Sequence, residues 1–388
     1  MGMEGHLRIE LNCTGDGRGR ATIASTRPLK LTRSFVGKSA QDTVAALPML
    51  FNICGNAQGA AAAEACERAL GLKADAHTQC VRALLVLIEM LREHLVRIAM
   101  DWPRLLGEQP DRRDLLAIML LCEGLRGQID PQRKALALGA TVHLDPTKIE
   151  SCIEKSTQLI ERLVLGEAIE TWRERRAGTS LVEWAQGSAT VAQRLIALVC
   201  ARGWEVVGEA PVRFLPQLQD GDLLGPLLGD DAEAFVAAPT WNDAPHETSA
   251  LARQADSPLI SDIARTAGYG LLIRLMARLV EIADLPRLMG AVVACEASQA
   301  ARRERAPAGR GLAQVETARG RLVHGVEIEG GRVCRYAILA PTEWNFHADG
   351  CAVQGLAGIA GRETDQRQLA ELFITAVDPC VGYEVRIH

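Results

Sequence analysis

The sequence predicts a mainly α protein with small β-sheets, an α+β chain in which a helical body lies between β pieces near both sequence ends. Three patterns predict it. Apolar residues recur at three- and four-residue steps through most of 39–205, the period of a helix face. They alternate weakly over 7–27 around a Gly-rich turn. A second hairpin pattern, over 311–340, carries Gly330-Gly331 at its turn.

The first hairpin rests on Leu7, Ile9 and Leu11, then Ala21 and Ile23, with Gly15-Asp16-Gly17-Arg18-Gly19 between them. The N-terminal β region is 1–38. In the helical body, 39–205, the clearest face is Val81, Leu84, Leu85, Ile88, Leu91, Leu95 and Ile98. Further helices are expected over about 112–140, 146–175 and 188–202, with Asp111 and Asp145-Pro146 as start signals. The segment 206–258 is richer in Pro, Gly and Asp and reads as irregular loop with short strands. A long helix is expected over about 260–304, inside the segment 259–310. It ends in Arg302-Arg303-Glu304-Arg305, a charge run that reads as a solvated face. The region 311–388 holds the second hairpin, a short helix at about 365–376 and an extended tail. No repeat or low-complexity linker divides the chain, so 1–388 reads as a single domain.

Length and composition narrow the function. With 388 residues and 48% hydrophobic content, the chain can bury a large core. Only 4% is aromatic, so aliphatic side chains do most of the packing. The 43 basic and 48 acidic residues leave a net charge of −5. That balance argues against nucleic acid or an anionic membrane as the main partner. Residues 1–12 lack a secretory pattern, and Cys80–Met100 is interrupted by charges, so neither export nor a membrane span is expected. A cytoplasmic location follows as the expectation, with reduced thiols. The 11 cysteines include no C-x-x-C pair.

Four short segments carry chemistry when taken in order. The first is Phe51-Asn52-Ile53-Cys54-Gly55-Asn56-Ala57-Gln58. The second is Glu316-Thr317-Ala318-Arg319-Gly320-Arg321-Leu322-Val323-His324, and the third is Pro341-Thr342-Glu343-Trp344-Asn345. The fourth is the tail, Val377-Asp378-Pro379-Cys380-Val381-Gly382-Tyr383-Glu384-Val385-Arg386-Ile387-His388. In this order and spacing the chain resembles the large subunit of nickel–iron hydrogenases. That family has an early R-x-C-G-x-C motif, a P-R-G segment, a P-T/S-x-W-N segment and a closing D-P-C-x-x-C-x-x-H motif.

The departures are as informative as the matches. Ala57 and Tyr383 stand where the second cysteine of each pair belongs, and Arg386 stands where the closing histidine belongs. The early motif reads Arg27-Pro28-Leu29-Lys30, without the expected glutamate. Two thiolates remain of four, too few for a nickel ion held by four sulfurs. Half-lost motifs in a shorter chain resemble the hydrogenase maturation proteins called HupK or HoxV. That resemblance implies a helical core with N- and C-terminal β-hairpins and a scaffold role for the iron half of the cofactor. Iron would carry two cyanides and one carbon monoxide, and no nickel is expected. Implied partners are a small HypC-type chaperone, other maturation proteins and the hydrogenase large subunit. No extension follows the closing motif, so maturation by C-terminal cleavage is not expected.

The resemblance gives Cys54 and Cys380 as iron ligands, with Arg319, Pro341 and Thr342 around the diatomic groups. Soft thiolates suit low-spin iron. Two thiolates and two cyanides on ferrous iron leave about two net negative charges, which need compensation in a buried pocket. Arg319 would supply a permanent positive charge and a donor to one cyanide, and Thr342 a hydroxyl to the other. Pro341 would offer apolar contact to carbon monoxide. His324 reads as structural. Cys13, Cys66, Cys80, Cys122, Cys152, Cys200, Cys295, Cys334 and Cys351 read as packing residues. In the enzymes the first cysteine of each pair binds only nickel, and here the first of each pair is what remains. Either iron is displaced, or a partner's cysteine shares the ligation. No catalytic residue is expected. Two other readings stay open: a metal-free interaction protein that mimics the large subunit, and a cysteine-depleted redox subunit with this fold.

Overall fold

A computed structural model describes residues 5–13, 19–294, 308–362 and 365–388. The chain opens with strands β1 (His6–Cys13) and β2 (Gly19–Ser25), paired antiparallel from Leu7↔Ser25 to Cys13↔Gly19. The predicted hairpin is present, although residues 14–18 of its turn lie outside the described residues. Leu7, Ile9 and Leu11 share one face and are fully buried, which is what period-two alternation achieves in a strand.

A short 3₁₀ segment, Leu29–Phe35, leads to α1 (Ala40–Leu50), capped by Ser39. A 3₁₀ turn, Asn52–Cys54, then runs into α2 (Gly55–Ala69). Helix α2 is rich in alanine and buried nearly all round. Its small side chains allow close approach: a Cβ at Gly311 would lie 1.9 Å from the Ala65 carbonyl oxygen.

The body continues through α3 (Ala76–Val96), α4 (Trp102–Leu105), α5 (Arg112–Ile129), α6 (Pro146–Ile160), α7 (Ile169–Arg173), α8 (Thr179–Gln186) and α9 (Val191–Ala201). Asp111 and Asp145 cap α5 and α6, as their sequence signals predict. The spans differ from the expectation. Helix α5 stops at Ile129, well short of 140. The expected helix over 146–175 is broken where Gly166 turns left-handed, at φ +70°.

The 206–258 region corrects the sequence reading. It holds three short helices, α10 (Asp220–Leu228), α11 (Ala232–Ala237) and α12 (Ala250–Gln254), and isolated bridges in place of strands. The single long helix over 260–304 is also corrected. It is α13 (Pro258–Ala267) and α14 (Leu271–Ala294), divided at Gly268 with φ +66°. Positive φ is a glycine preference, which is why the chain can turn at this position. The basic run at 302–305 lies outside the described residues.

The second hairpin is in fact three strands. β3 (Arg310–Thr317), β4 (Gly320–Glu329) and β5 (Arg332–Leu339) pair antiparallel in sequence order. Gly330-Gly331 makes one turn and Ala318-Arg319 the other. The chain closes with α15 (Pro341–Asn345), α16 (Cys351–Ala360), α17 (Gln366–Val377) and β6 (Gly382–Ile387). Strand β6 pairs parallel with β1, from His6↔Gly382 to Leu11↔Ile387. The two chain ends therefore build one three-stranded sheet, β2–β1–β6. Among the described residues, no helix is long and apolar enough to cross a membrane.

Candidate functional site

Cys54 is placed by a helix start. It precedes α2, whose first free N–H groups need acceptors. Glu89 of α3 supplies them, accepting from Asn56 N at 2.7 Å and Ala57 N at 3.0 Å. Burial pushes the Glu89 carboxyl up to about 7, against the pull of these two amides.

Cys380 is placed by a helix end. Asp378 terminates α17 with φ +67°, a left-handed conformation that Asp tolerates better than most residues. Its carboxylate anchors the turn to three arginines. Arg97 Nη2 and Arg278 Nη1 donate to it at 2.5 and 3.2 Å, and Arg319 Nε lies 3.4 Å away. Burial alone would raise the Asp378 carboxyl, but Arg319, Arg97 and Arg278 outweigh it and hold it well below the carboxylate range.

Arg319 occupies the β3–β4 turn. A Cβ at Gly320, with φ +128°, would lie 2.0 Å from the Thr248 carbonyl oxygen, so only glycine fits after it. Arg319 Nη2 donates to Glu93 at 3.0 Å, and Asn345 Nδ2 holds the Arg319 carbonyl at 2.8 Å. Burial would lower its guanidinium, but Asp378 and Glu93 outweigh that, so it stays charged.

These segments meet at one cavity. Its wall includes Arg27, Cys54, Gln58, Arg319, Pro341 and Cys380, and it encloses about 30 Å³, room for roughly two waters. Four of the five residues expected from the sequence are on that wall. Thr342, the fifth, is not on the wall, and its hydroxyl is engaged with Cys380. It donates to Cys380 Sγ at 2.8 Å and accepts the Cys380 N–H at 3.1 Å. Ala57 and Tyr383 are also off the wall.

Comparison with known proteins fits this geometry. No family model matches the chain. It is 32% identical to the hydrogenase expression/formation protein HupV of Azotobacter chroococcum mcd 1, over 99% of both chains. The chain belongs to the HupK, HupV and HoxV family of hydrogenase expression/formation proteins. HoxV of Cupriavidus necator is 31% identical, over 94% of this chain and 92% of HoxV. HupK of Azotobacter vinelandii is 27% identical over 99% of both. The fold is that of nickel–iron hydrogenase large subunits. A reduced, active nickel–iron–selenium hydrogenase from Desulfomicrobium baculatum aligns with a TM-score of 0.65, at 14% identity and 97% coverage of both chains. An NAD⁺-reducing nickel–iron hydrogenase aligns at 0.62, with 16% identity, 97% coverage of this chain and 96% of the other.

At this cavity of the HupK-family chain, three residues escaped the sequence reading. Arg27 donates from Nη1 to Cys380 Sγ at 3.1 Å. Glu343 meets Arg27 Nε at 3.1 Å. Glu343 comes from the Pro341–Asn345 segment, which was already in view. Burial would lower the Arg27 guanidinium, but Cys380 and Glu343 together hold it above its ordinary value. Gln58 is the third: its Nε2 donates to Cys54 Sγ at 3.6 Å. Its signal was the four-residue spacing from Cys54, one helical turn.

Cys54 differs from Cys380 in its surroundings. Burial, with Glu89 and Cys380 nearby, pushes its thiol up to about 12. A metal cation would displace that proton, since the thiolate is the ligand form. As whole residues both cysteines are of intermediate exposure, and both stand on the cavity wall. Of the other cysteines, Cys66, Cys80, Cys122, Cys152 and Cys351 are buried, as packing residues should be. Cys200 and Cys334 are partly exposed. Cys295 and the Cys13 side chain lie outside the described residues. Among the described residues, no group of three or more His, Cys, Asp or Glu is arranged to hold a metal ion.

Proposed function

We propose that this protein acts in nickel–iron hydrogenase maturation as a non-catalytic scaffold. It holds or transfers an iron dicyanide carbonyl fragment before that fragment enters the catalytic large subunit. One observation carries the reading: Cys54 and Cys380 share a single cavity wall with Arg27 and Arg319. Two protein ligands are few for iron, but this cargo brings three diatomic ligands of its own, so a closed four-residue cage is not needed. The loaded site carries about two net negative charges, and the guanidiniums offset them where burial would otherwise be costly.

The enclosed space is small, so loading requires the walls to give. Two cysteines on the wall of one cavity suit a carrier that must exchange ligands with a donor and an acceptor. On this reading the natural partners are a small HypC-type chaperone that delivers the fragment and the large subunit that receives it, in the cytoplasm. Nickel has no place, because the second cysteine of each pair is absent.

Infrared spectroscopy of protein purified anaerobically after coexpression with the maturation set tests the reading. Cyanide and carbonyl stretches are expected, with iron but no nickel by metal analysis, and their loss is expected in Cys54→Ser and Cys380→Ser. Wild-type protein without those bands, together with intact maturation in both variants, would leave a metal-free mimic of the large subunit as the better reading. Hydrogen oxidation or quinone reduction by the purified protein would overturn the non-catalytic reading.

A further inference from the structure

The polar chain behind Cys54 has a definite order. Gln58 Nε2 donates to Cys54 Sγ, and Gln58 Oε1 lies 2.9 Å from His324 Nε2. His324 Nδ1 lies 2.8 Å from the Tyr336 hydroxyl. Tyr336 and Ile338 are carried on β5, and His324 on β4 opposite Ile338. His324 is completely buried, and burial pushes its imidazole down to about 3, so the ring is neutral.

A neutral imidazole has one N–H. When the Gln58 amide gives its N–H to sulfur, its Oε1 faces His324 and only accepts. The His324 hydrogen is then on Nε2, Nδ1 is the acceptor, and the Tyr336 O–H donates to it. The order is set from the sulfur end by the placement of the Gln58 amide, whose nitrogen and not its oxygen faces Cys54 Sγ. Each link then has one donor and one acceptor, so no polar atom of the chain is stranded.

The two sulfurs are held differently. Cys380 receives a guanidinium and a hydroxyl. Cys54 receives the neutral amide of Gln58, and the cavity wall it shares also includes Phe51, Ile53 and Leu322. Removal of that amide would take from Cys54 Sγ the hydrogen bond that Gln58 donates.

We propose that Gln58 is a positioning residue for Cys54, held by His324 and Tyr336 so that its amide N–H points at the sulfur. The role this serves rests on reading Cys54 as a ligand of the iron cargo, whereas the hydrogen-bond order itself does not. Outer-shell partners of this kind orient a ligand and tune its donation to the metal.

The test uses the full-length, iron-free protein. Histidine ¹⁵N spectra are expected to show His324, assigned by its loss in His324→Gln, as the Nε2–H tautomer. The Nδ1–H tautomer would overturn the proposal. Iodoacetamide labelling of Cys54, read by peptide mass spectrometry, is expected to slow about tenfold in Gln58→Leu, the scale of one hydrogen bond. Cys200, partly exposed and in α9, serves as the internal reference and should not change. His324→Leu should slow Cys54 similarly. His324→Gln keeps an N–H for Gln58 and a carbonyl for Tyr336, and should restore the wild-type rate. Unchanged rates in Gln58→Leu, or His324→Gln behaving like His324→Leu, would also overturn it. Because iron is absent from every sample, missing diatomic bands would overturn the cargo reading alone.

Discussion

The Arg27 guanidinium donates to Cys380 Sγ at 3.1 Å, across 353 residues of sequence. The same guanidinium pairs with Glu343, so one arginine joins the N-terminal sheet region, the α15 helix and the closing motif. A charged donor on a thiolate is worth about 1.5–3 kcal/mol. Arg27→Leu should therefore weaken retention of the iron fragment by roughly ten- to a hundredfold. Intensity of the cyanide and carbonyl bands per protein measures it. Since Arg27→Leu also strands Glu343, the double variant Arg27→Leu with Glu343→Leu should recover fold stability but not the bands. Full band intensity in either variant would count against a role for Arg27.

Asp378 is where fold and site meet. Its buried carboxylate faces Arg97, Arg278 and Arg319, and breaking a buried charged group of this kind costs about 3–5 kcal/mol. Asp378→Asn should lower the urea midpoint accordingly. Asparagine tolerates the left-handed φ of this position, so the loss would report the charge and not the turn. Cys380 should also become more reactive to alkylation, because its backbone is tied to this turn. A variant as stable as wild type would show that the three arginines do not depend on Asp378.

Much of this could be read from the residues, for reasons that differ by region. Leu7, Ile9 and Leu11 alternate and are buried, so β1 was legible. Gly268 and Gly166 were visible as glycines, but periodicity runs straight through them, and only the observed positive φ shows that they break helices. The third strand of the β3–β5 sheet was hidden because Ala318-Arg319 makes a tight turn with a single glycine beside it. The motifs name Cys54, Cys380, Arg319 and Pro341, and the fold brings these four to one cavity wall. Arg27 and Glu343 were both in view, but their pairing spans 316 residues and no local pattern encodes it. Thr342 was also in view, but its two hydrogen bonds to Cys380 depend on the orientation of the turn after α17, which no local pattern encodes.

Stability should fall on acidification through a second buried cluster. His94 Nε2 lies 2.7 Å from Glu281 Oε2, and Arg253 donates to both Glu281 oxygens. Burial would raise the Glu281 carboxyl, but Arg253 and His94 bring it down to about 2. Burial lowers the His94 imidazole from its ordinary value, so it folds neutral. Both groups bind protons more tightly when unfolded. Their contribution is therefore full above the unfolded histidine range, declines as pH falls below about 6.5 through His94, and declines further between about 4.5 and 2 through Glu281. Urea midpoints from pH 7 to 3 should drop by an amount equivalent to a few kcal/mol. Glu281→Gln should flatten the acid part of that slope, and an unflattened slope would place the acid sensitivity elsewhere.

Restoring the two absent cysteines should not restore nickel binding. The simplest view of the sequence is that Ala57→Cys and Tyr383→Cys together rebuild the four-sulfur set. The geometry argues otherwise. Ala57 is fully buried in the first turn of α2, its N–H is held by Glu89, and it is not on the cavity wall. Tyr383 lies on β6 opposite Leu7 of β1, with its hydroxyl hydrogen-bonded to Thr375. After Cys380 the chain is thus drawn into the β2–β1–β6 sheet, and position 383 belongs to that sheet and not to the cavity. A sulfur at 57 must also be accommodated in a packed interior, at a cost of about 1–3 kcal/mol. The double variant should therefore carry no stoichiometric nickel after growth with the metal, by elemental analysis, and should be less stable than wild type. One tightly held nickel per chain would show that the tail can leave β1 and return to the cavity.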